Sequence, residues 1–86
     1  MYTINKKILQ TPIEDGKILL LEPEKGLYFE MNETSVMIYQ CIQEGLNEKR
    51  ILKRMLEKYD IDALQAEKDL NLYLNDLLNQ KIVIKT

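Results

Sequence analysis

Short apolar runs separated by turn residues occupy the first third of the chain. Tyr2–Leu9 carries enough apolar residues to predict a first strand. Thr11 and Pro12, and then Asp15 and Gly16, predict turns after this strand, because Pro and Gly interrupt regular structure. The pattern therefore indicates the start of a small antiparallel sheet.

The next two apolar runs predict a β-hairpin. Lys17–Glu22 and Leu27–Met31 are compact strand candidates, and Pro23–Gly26 between them predicts a tight turn. The first of these strands is apolar on both faces, which is typical of a strand that is central in its sheet or covered on both sides. In the second strand, alternate residues form a face that we assign to the core: Leu27, Phe29 and Met31. Tyr28 and Glu30 are expected to point away from this core.

The remainder of the chain has helical periodicity. Asn32, Asn47 and Asp62 are predicted N-caps of three helices, of which the first spans Glu33–Glu44 and the third Ala63–Gln80. The residues spaced for burial are Val36, Ile38, Tyr39, Cys41 and Ile42, then Ile51, Leu52, Met55, Leu56 and Tyr59, and finally Ala66, Leu70, Tyr73, Leu74, Leu77 and Leu78. Each helix thus has an apolar stripe with which to pack on a shared core.

Strands followed by helices predict an α+β domain. We expect a three-stranded antiparallel sheet followed by a three-helix bundle in a winged-helix-like arrangement, with Ile82–Ile84 packing back onto the sheet. The 86 residues are enough for one domain over residues 1–86. The longest apolar run, Ile18–Leu21, is far shorter than the ~20 residues of a membrane span, and no signal peptide opens the chain. We therefore expect a cytoplasmic protein without a membrane partner.

The composition disfavours catalysis. Histidine, the commonest general base and metal ligand, is absent. The single Cys41 can form neither an internal disulfide nor a structural zinc site, so we interpret it as a core residue. A net charge of −2 does not favour a nucleic-acid partner. We therefore expect no enzymatic activity, no cofactor and no metal.

Several segments together form a more specific pattern. Asp15 and Gly16 form a turn, Leu19–Leu21 a strand, and Gly26–Thr34 an aromatic-rich strand that leads into an Asn-Glu-Thr helix start. With the leucines of the last helix, this pattern resembles the PqqD family from Asp15 to the end of the chain. The matching leucines are Leu70, Leu74 and Leu77. The departures from the family pattern are Met31, Ser35, Tyr39 where the family usually has Trp, and Lys81-Ile82 where it usually has Gly-Leu.

The resemblance implies a peptide-binding function. PqqD-like domains bind the leader of a ribosomally made precursor peptide as an added strand at the sheet edge, beside the last helix. They present it to a modifying enzyme or a leader peptidase. For this chain the resemblance implies a standalone, non-catalytic adaptor, with lasso-peptide biosynthesis favoured over the pyrroloquinoline quinone pathway. The residues expected to contact the peptide are Leu27, Tyr28, Phe29, Glu30, Met31, Asp69, Leu72, Tyr73 and Asp76.

Some of these positions have alternative interpretations. Leu72 lies about 160° from the buried stripe of the third helix, so it is either an ordinary exposed leucine or a groove contact. Asp69 and Asp76 either form a solvated acidic face or pair with cations of a leader. Basic residues of the second helix either are solvated or dock an acidic partner protein: Lys49, Arg50, Lys53, Arg54 and Lys58.

A winged-helix regulatory protein that binds DNA or another protein is the alternative function. In a helix-turn-helix protein the third predicted helix would enter the major groove. Here that helix carries four acidic residues against the single cation of Lys68: Asp62, Glu67, Asp69 and Asp76. Because this charge would repel phosphate, the peptide-binding function is favoured.

Overall fold

The structure, a computed structural model, describes residues 2–86 and has an α+β fold. Its elements in chain order are β1 (Tyr2–Ile4), β2 (Leu9–Pro12), β3 (Ile18–Glu22), β4 (Leu27–Met31), α1 (Glu33–Gln43), α2 (Glu48–Lys58), α3 (Ala63–Asn79) and β5 (Val83–Lys85). The predicted order of strands followed by three helices is confirmed. The first and third helices each end one residue before the predicted position.

The strands form two antiparallel sheets. Strands β2, β3 and β4 form a three-stranded sheet in that order, so β3 is central, which is one of the two arrangements predicted for it, and β4 is an edge strand. The β3–β4 register pairs Leu20 with Phe29 and Ile18 with Met31, which places all four side chains on the same face. The sequence predicts that Ile82–Ile84 packs back onto this sheet. In the structure, β5 instead pairs with β1 in a separate two-stranded sheet.

The prediction of one strand over Tyr2–Leu9 is wrong, because a turn at Asn5 divides that segment into β1 and β2. The Asn5 side-chain oxygen accepts a hydrogen bond from the Lys7 N–H at 3.1 Å, and its carbonyl accepts one from the Ile8 N–H at 3.1 Å. Such local bonds are typical of Asn in turns. The Asn5 amide also donates to the Lys81 carbonyl at 2.9 Å, which fixes this turn against the end of α3.

The turn predicted at Thr11 and Pro12 is also wrong, since both residues lie in β2 opposite β3. Proline lacks a backbone donor, but β2 is an edge strand, where a missing donor is tolerated. The turn at Asp15 and Gly16 is confirmed. Both residues have positive φ, 63° and 71°, as expected for the Asp-Gly pair of a tight hairpin turn.

The three predicted N-caps are confirmed. The side chains of Asn32, Asn47 and Asp62 each accept a hydrogen bond from the backbone N–H three residues on, at 2.9, 3.0 and 2.8 Å. Each bond satisfies one of the backbone donors that a helix N-terminus leaves unpaired. Local capping by these three side chains therefore marks where α1, α2 and α3 begin.

The core lies between the helices and one face of the three-stranded sheet. Its buried apolar residues are Tyr2, Leu20, Met31, Val36, Met37, Ile38, Tyr39, Cys41, Ile42, Ile51, Met55, Ala66, Leu70, Leu74, Leu77, Ile82 and Val83. Two predicted core residues are exposed instead, Leu27 by 45% and Leu56 by 38%. Leu27 lies beside the hairpin turn at the periphery of the sheet. Leu56 is rotated about 100° on α2 from the fully buried Met55, so it faces solvent.

The described residues contain no helix that is both long enough and apolar enough to cross a membrane. Within residues 2–86, no three His, Cys, Asp or Glu side chains cluster in a way that could hold a metal ion.

Candidate functional site

A groove lies between the edge strand β4 and helix α3. It encloses a cavity of about 260 Å³. Its lining residues come from β4, the start of α1, the second half of α3 and the segment after it: Phe29, Glu30, Met31, Ser35, Tyr73, Asp76, Leu77, Gln80 and Ile82. The groove therefore follows the side of β4 that has no neighbouring strand among the described residues.

Strand β4 contributes a free backbone edge to this groove. It pairs with β3 on one side only. In an antiparallel strand, the N–H and C=O groups of alternate residues point away from the paired neighbour. The edge of β4 therefore presents donors and acceptors that an extended peptide can satisfy.

The junction between β4 and α1 positions one aromatic side chain of the groove. Asn32, the N-cap of α1, accepts the Ser35 N–H through its side-chain oxygen, while its amide nitrogen donates to the Tyr73 hydroxyl at 3.3 Å. Tyr73 lies on α3 and is half-buried. One residue thus both starts α1 and holds the α3 wall of the groove beside the end of β4.

The groove is acidic at its rim, and its accessible apolar surface comes mainly from two aromatic side chains. Phe29 and Tyr73 line the cavity and are half-buried, whereas the aliphatic lining residues are at most 4% exposed and offer little surface. The rim carries Glu30 and Asp76, and no Lys or Arg among the described residues lines the cavity. This arrangement suits a peptide with both apolar and basic side chains.

The two rim carboxylates have different surroundings. Glu30 forms an ion pair of 3.6 Å with Lys17 of the hairpin, and its side chain is 61% exposed. Asp76 is contacted by the Gln80 amide at 3.5 Å and has no ion-pair partner among the described residues. Asp76 is therefore the carboxylate with more capacity for a cation of a ligand.

The structure brings together some of the residues predicted from the sequence and leaves others outside the cavity. Those that line it are Phe29, Glu30, Met31, Tyr73 and Asp76. Leu27 and Tyr28 continue along β4 towards the hairpin turn, and Tyr28 is 69% exposed. Leu72 is also 69% exposed, and Asp69 accepts a hydrogen bond from the Gln65 amide at 2.9 Å. These four residues flank the groove and do not form its wall.

Four residues that line the groove are not among those predicted from the sequence: Ser35, Leu77, Gln80 and Ile82. Gln80 could have been found, because it follows Asp76 by four residues and therefore lies on the same helix face. Leu77 had been assigned to the core alone, although its edge also reaches the groove. Ile82 carries no signal in the sequence, since it reaches the groove only because the chain reverses after α3.

Cys41 is not placed for chemistry. Its side chain is 1% exposed, and burial raises the pKa of its thiol, although the nearby Arg54 partly opposes this effect. A thiol that remains protonated is a poor nucleophile. The prediction that Cys41 is a core residue is confirmed.

Comparison with known proteins is consistent with this geometry. The family model of coenzyme PQQ synthesis protein D (PqqD) matches residues 17–83. A solved structure of TbiB1 in complex with the TbiA(beta) leader peptide superposes with a TM-score of 0.88 at 24% identity, over 98% of this chain and 96% of that chain. A lasso peptide synthetase B1 complexed with the leader peptide superposes with a TM-score of 0.88 at 19% identity, over 98% of both chains. These identities show a shared fold. No curated protein matches the chain by sequence.

Proposed function

Because the chain belongs to the PqqD family, whose model matches residues 17–83, we propose that it is an adaptor that binds the leader segment of a ribosomally made precursor peptide. The adaptor is not catalytic and presents the leader to a modifying or leader-cleaving enzyme. Lasso-peptide biosynthesis is the pathway class that fits best, since both similar structures hold leader peptides and one is a lasso peptide synthetase B1.

The observation that carries this proposal is the groove along the free edge of β4. An extended peptide can add to that edge as a fourth strand and pair with its backbone. Backbone pairing supplies affinity for any extended segment, whereas the pockets for side chains supply the sequence preference. The adjacent α3 wall, with Tyr73 and Asp76, provides such contacts on one side only.

Side chains of an added strand alternate between two directions. Those that face the groove would find apolar contact mainly with the half-buried rings of Phe29 and Tyr73. A basic side chain at the rim would lie beside Asp76 or Glu30. A leader with alternating apolar residues and at least one Lys or Arg is therefore the chemistry that this groove favours.

The residues flanking the cavity extend the proposed site. Leu27 and Tyr28 extend the free edge of β4 beyond the cavity. Asp69 and Leu72 lie beyond the cavity on α3, on the N-terminal side of Tyr73. The exposed Leu72 gives a longer peptide an apolar contact beyond the cavity. These four positions belong to the proposal as outer contacts, secondary to the residues that line the groove.

The proposal also includes the organisation of the chain. Residues 1–86 act as one peptide-recognition domain, and the three helices beside the sheet support its winged-helix-like description. We place its action in the cytoplasm, because a precursor made on ribosomes meets its adaptor there before maturation.

The direct test is a titration of the purified protein with the leader peptide encoded beside its gene. We expect saturable binding, with backbone amide shifts in NMR spectra concentrated in β4 and in the second half of α3. An absence of binding would contradict the proposed function. Saturable binding with shifts confined to another surface would contradict the location of the site.

A pair of matched variants tests the α3 wall. Asp76→Lys places a long cation at the acidic rim, and we expect leader affinity to fall by about tenfold or more. Glu67→Lys makes the same charge change on the opposite side of the same helix, because the nine-residue spacing rotates it by about 180°. We expect this control to keep the affinity of the parent protein. Equal effects of the two substitutions would show that net charge, and not the groove, controls binding.

A further inference from the structure

The outward face of helix α2 carries a basic surface with apolar residues at its centre. A shallow cavity of about 490 Å³ lies on this face. The residues that line it, which we call the α2 surface, are Asn47, Lys49, Arg50, Leu52, Lys53 and Leu56. None of them lines the groove between β4 and α3.

The cations of the α2 surface differ in their ion pairing from the neighbouring cations of the same helix. Arg54 and Lys58, on the flank of the same helix, are paired with Glu44 at 2.7 Å and with Glu33 at 4.0 Å. Lys49, Arg50 and Lys53 form no such pair with any described residue. This face of α2 therefore presents three positive charges that are available to an acidic partner.

The core accounts for only part of the apolar surface at this position. Leu52 packs against the core but stays half-buried, and Leu56 is 38% exposed although the helical pattern predicts its burial. Their side chains lie one turn apart and are flanked by Lys49 and Lys53. A leucine pair surrounded by cations has the layout of a protein interface, with an apolar centre and a charged rim.

We propose that the α2 surface docks an acidic, amphipathic segment of the maturation enzyme while the groove holds the leader. Acidic side chains of the enzyme would pair with Lys49, Arg50 and Lys53, and an apolar side chain would cover Leu52 and Leu56. This inference rests on the proposed adaptor function. Because the two surfaces share no residue, the leader and the enzyme can be bound at the same time.

The apolar centre favours a protein partner over a nucleic acid. Duplex recognition relies on Lys and Arg contacts to phosphates, and Leu52 and Leu56 would have no phosphate to contact. The acidic residues of α3 would in addition repel a duplex that extends past the short turn between α2 and α3. Enzyme docking therefore accounts for both the charge and the leucines of this surface.

The test measures two affinities for each variant: one for the leader peptide, and one for the purified modifying enzyme or leader peptidase encoded beside the gene. The test variants are Lys49→Glu/Lys53→Glu, which reverses the charge, and Leu56→Asp, which places a charge at the apolar centre. The control is Lys6→Glu/Lys25→Glu, which makes the same change of net charge at two exposed lysines outside both surfaces. All these positions are exposed, so we expect every variant to fold.

We expect both test variants to weaken enzyme binding by about tenfold or more, while their leader affinity and the enzyme affinity of the control stay unchanged. If the parent protein does not bind the leader, that result contradicts the proposed function and leaves this inference to be judged by the enzyme affinities. Unchanged enzyme binding by both test variants, or an enzyme that does not bind the parent protein, would overturn the inference. Binding of a fluorescent DNA duplex that Lys49→Glu/Lys53→Glu abolishes would also overturn it.

Discussion

At the scale of single residues, the end of α3 contains a strained backbone position. Lys81 has a φ of 60°, in the left-handed region that favours glycine. It is held there because its N–H donates to the Leu78 carbonyl at 3.1 Å and the next N–H, of Ile82, donates to the Leu77 carbonyl at 3.0 Å. These two bonds form the Schellman motif that ends many helices, usually with glycine at this position. A lysine therefore occupies a position that the geometry assigns to glycine.

We expect Lys81→Gly to raise the free energy of unfolding by about 0.5–1 kcal/mol, because relief of the left-handed strain exceeds the added entropy of the unfolded chain. Urea denaturation measures this change. Lys81→Ala is the control, since it removes the same side chain but retains the strain. A glycine variant no more stable than the alanine variant would contradict this explanation.

A second residue-scale prediction concerns pH. The Tyr2 hydroxyl donates a hydrogen bond to the Glu48 carboxylate, and this bond, together with burial, raises the pKa of Tyr2 to about 12 from its ordinary 10.0. A group whose pKa is raised on folding contributes stability below its unfolded pKa and loses it as pH rises through the folded pKa. We expect Tyr2→Phe to cost about 1 kcal/mol at neutral pH.

The difference between the parent protein and Tyr2→Phe should therefore be constant below pH 10.0 and shrink as pH rises towards about 12. Urea denaturation of both proteins across this range measures it, and the subtraction removes the shared titration of the lysines. A difference that stays constant through this range would show that the hydrogen bond does not control the stability change.

At the scale of elements, β4 pairs with β3 on one side and is proposed to pair with the leader on the other, and different backbone groups serve the two sides. Alternate residues of an antiparallel edge strand direct their N–H groups towards the neighbour strand or towards the free edge. The first set holds β4 to β3, and the second set is available to an added strand. Adjacent residues such as Tyr28 and Phe29 belong to different sets.

Proline at these two positions should therefore have opposite consequences, because proline removes one backbone donor. We expect one of Tyr28→Pro and Phe29→Pro to lower the free energy of unfolding strongly, and the other to abolish leader binding with a smaller loss of stability. Urea denaturation and a leader titration of both variants separate the two effects. If the more stable variant bound the leader as tightly as the parent protein, strand addition at β4 would be wrong.

At the scale of the whole molecule, leader binding should stabilise the fold. The groove joins β4, α1, α3 and Ile82, elements that come from distant parts of the chain. A peptide that binds only the folded chain therefore links all of them. By mass action, a leader at 100 times its Kd should raise the free energy of unfolding by about 2.7 kcal/mol.

Thermal or urea unfolding with and without the leader measures this effect, and a scrambled peptide of the same composition is the control. We also expect slower amide exchange along β4, because an added strand satisfies its free edge. Equal stabilisation by the leader and the scrambled peptide would indicate a nonspecific effect of charge and would contradict recognition by the groove.

The secondary-structure elements can largely be predicted from the sequence, since the signals for each element lie within a few residues of one another. The side-chain caps at Asn32, Asn47 and Asp62, the Asp15-Gly16 turn and the leucine stripe of α3 all have local signals, and the structure confirms them. The resemblance to the PqqD family rests on the same local pattern, and it implied that Leu27–Met31 receives the peptide at the sheet edge.

The contacts between distant segments, in contrast, become visible only in the folded chain. Pairing of β1 with β5, the Asn5 turn against the end of α3 and the entry of Ile82 into the groove depend on contacts between the two ends of the chain. The same holds for exposure, because Leu56 and Leu27 have the apolar spacing of core residues but remain 38% and 45% exposed. Periodicity shows which residues share a face, whereas packing determines which faces are buried and which remain available for binding.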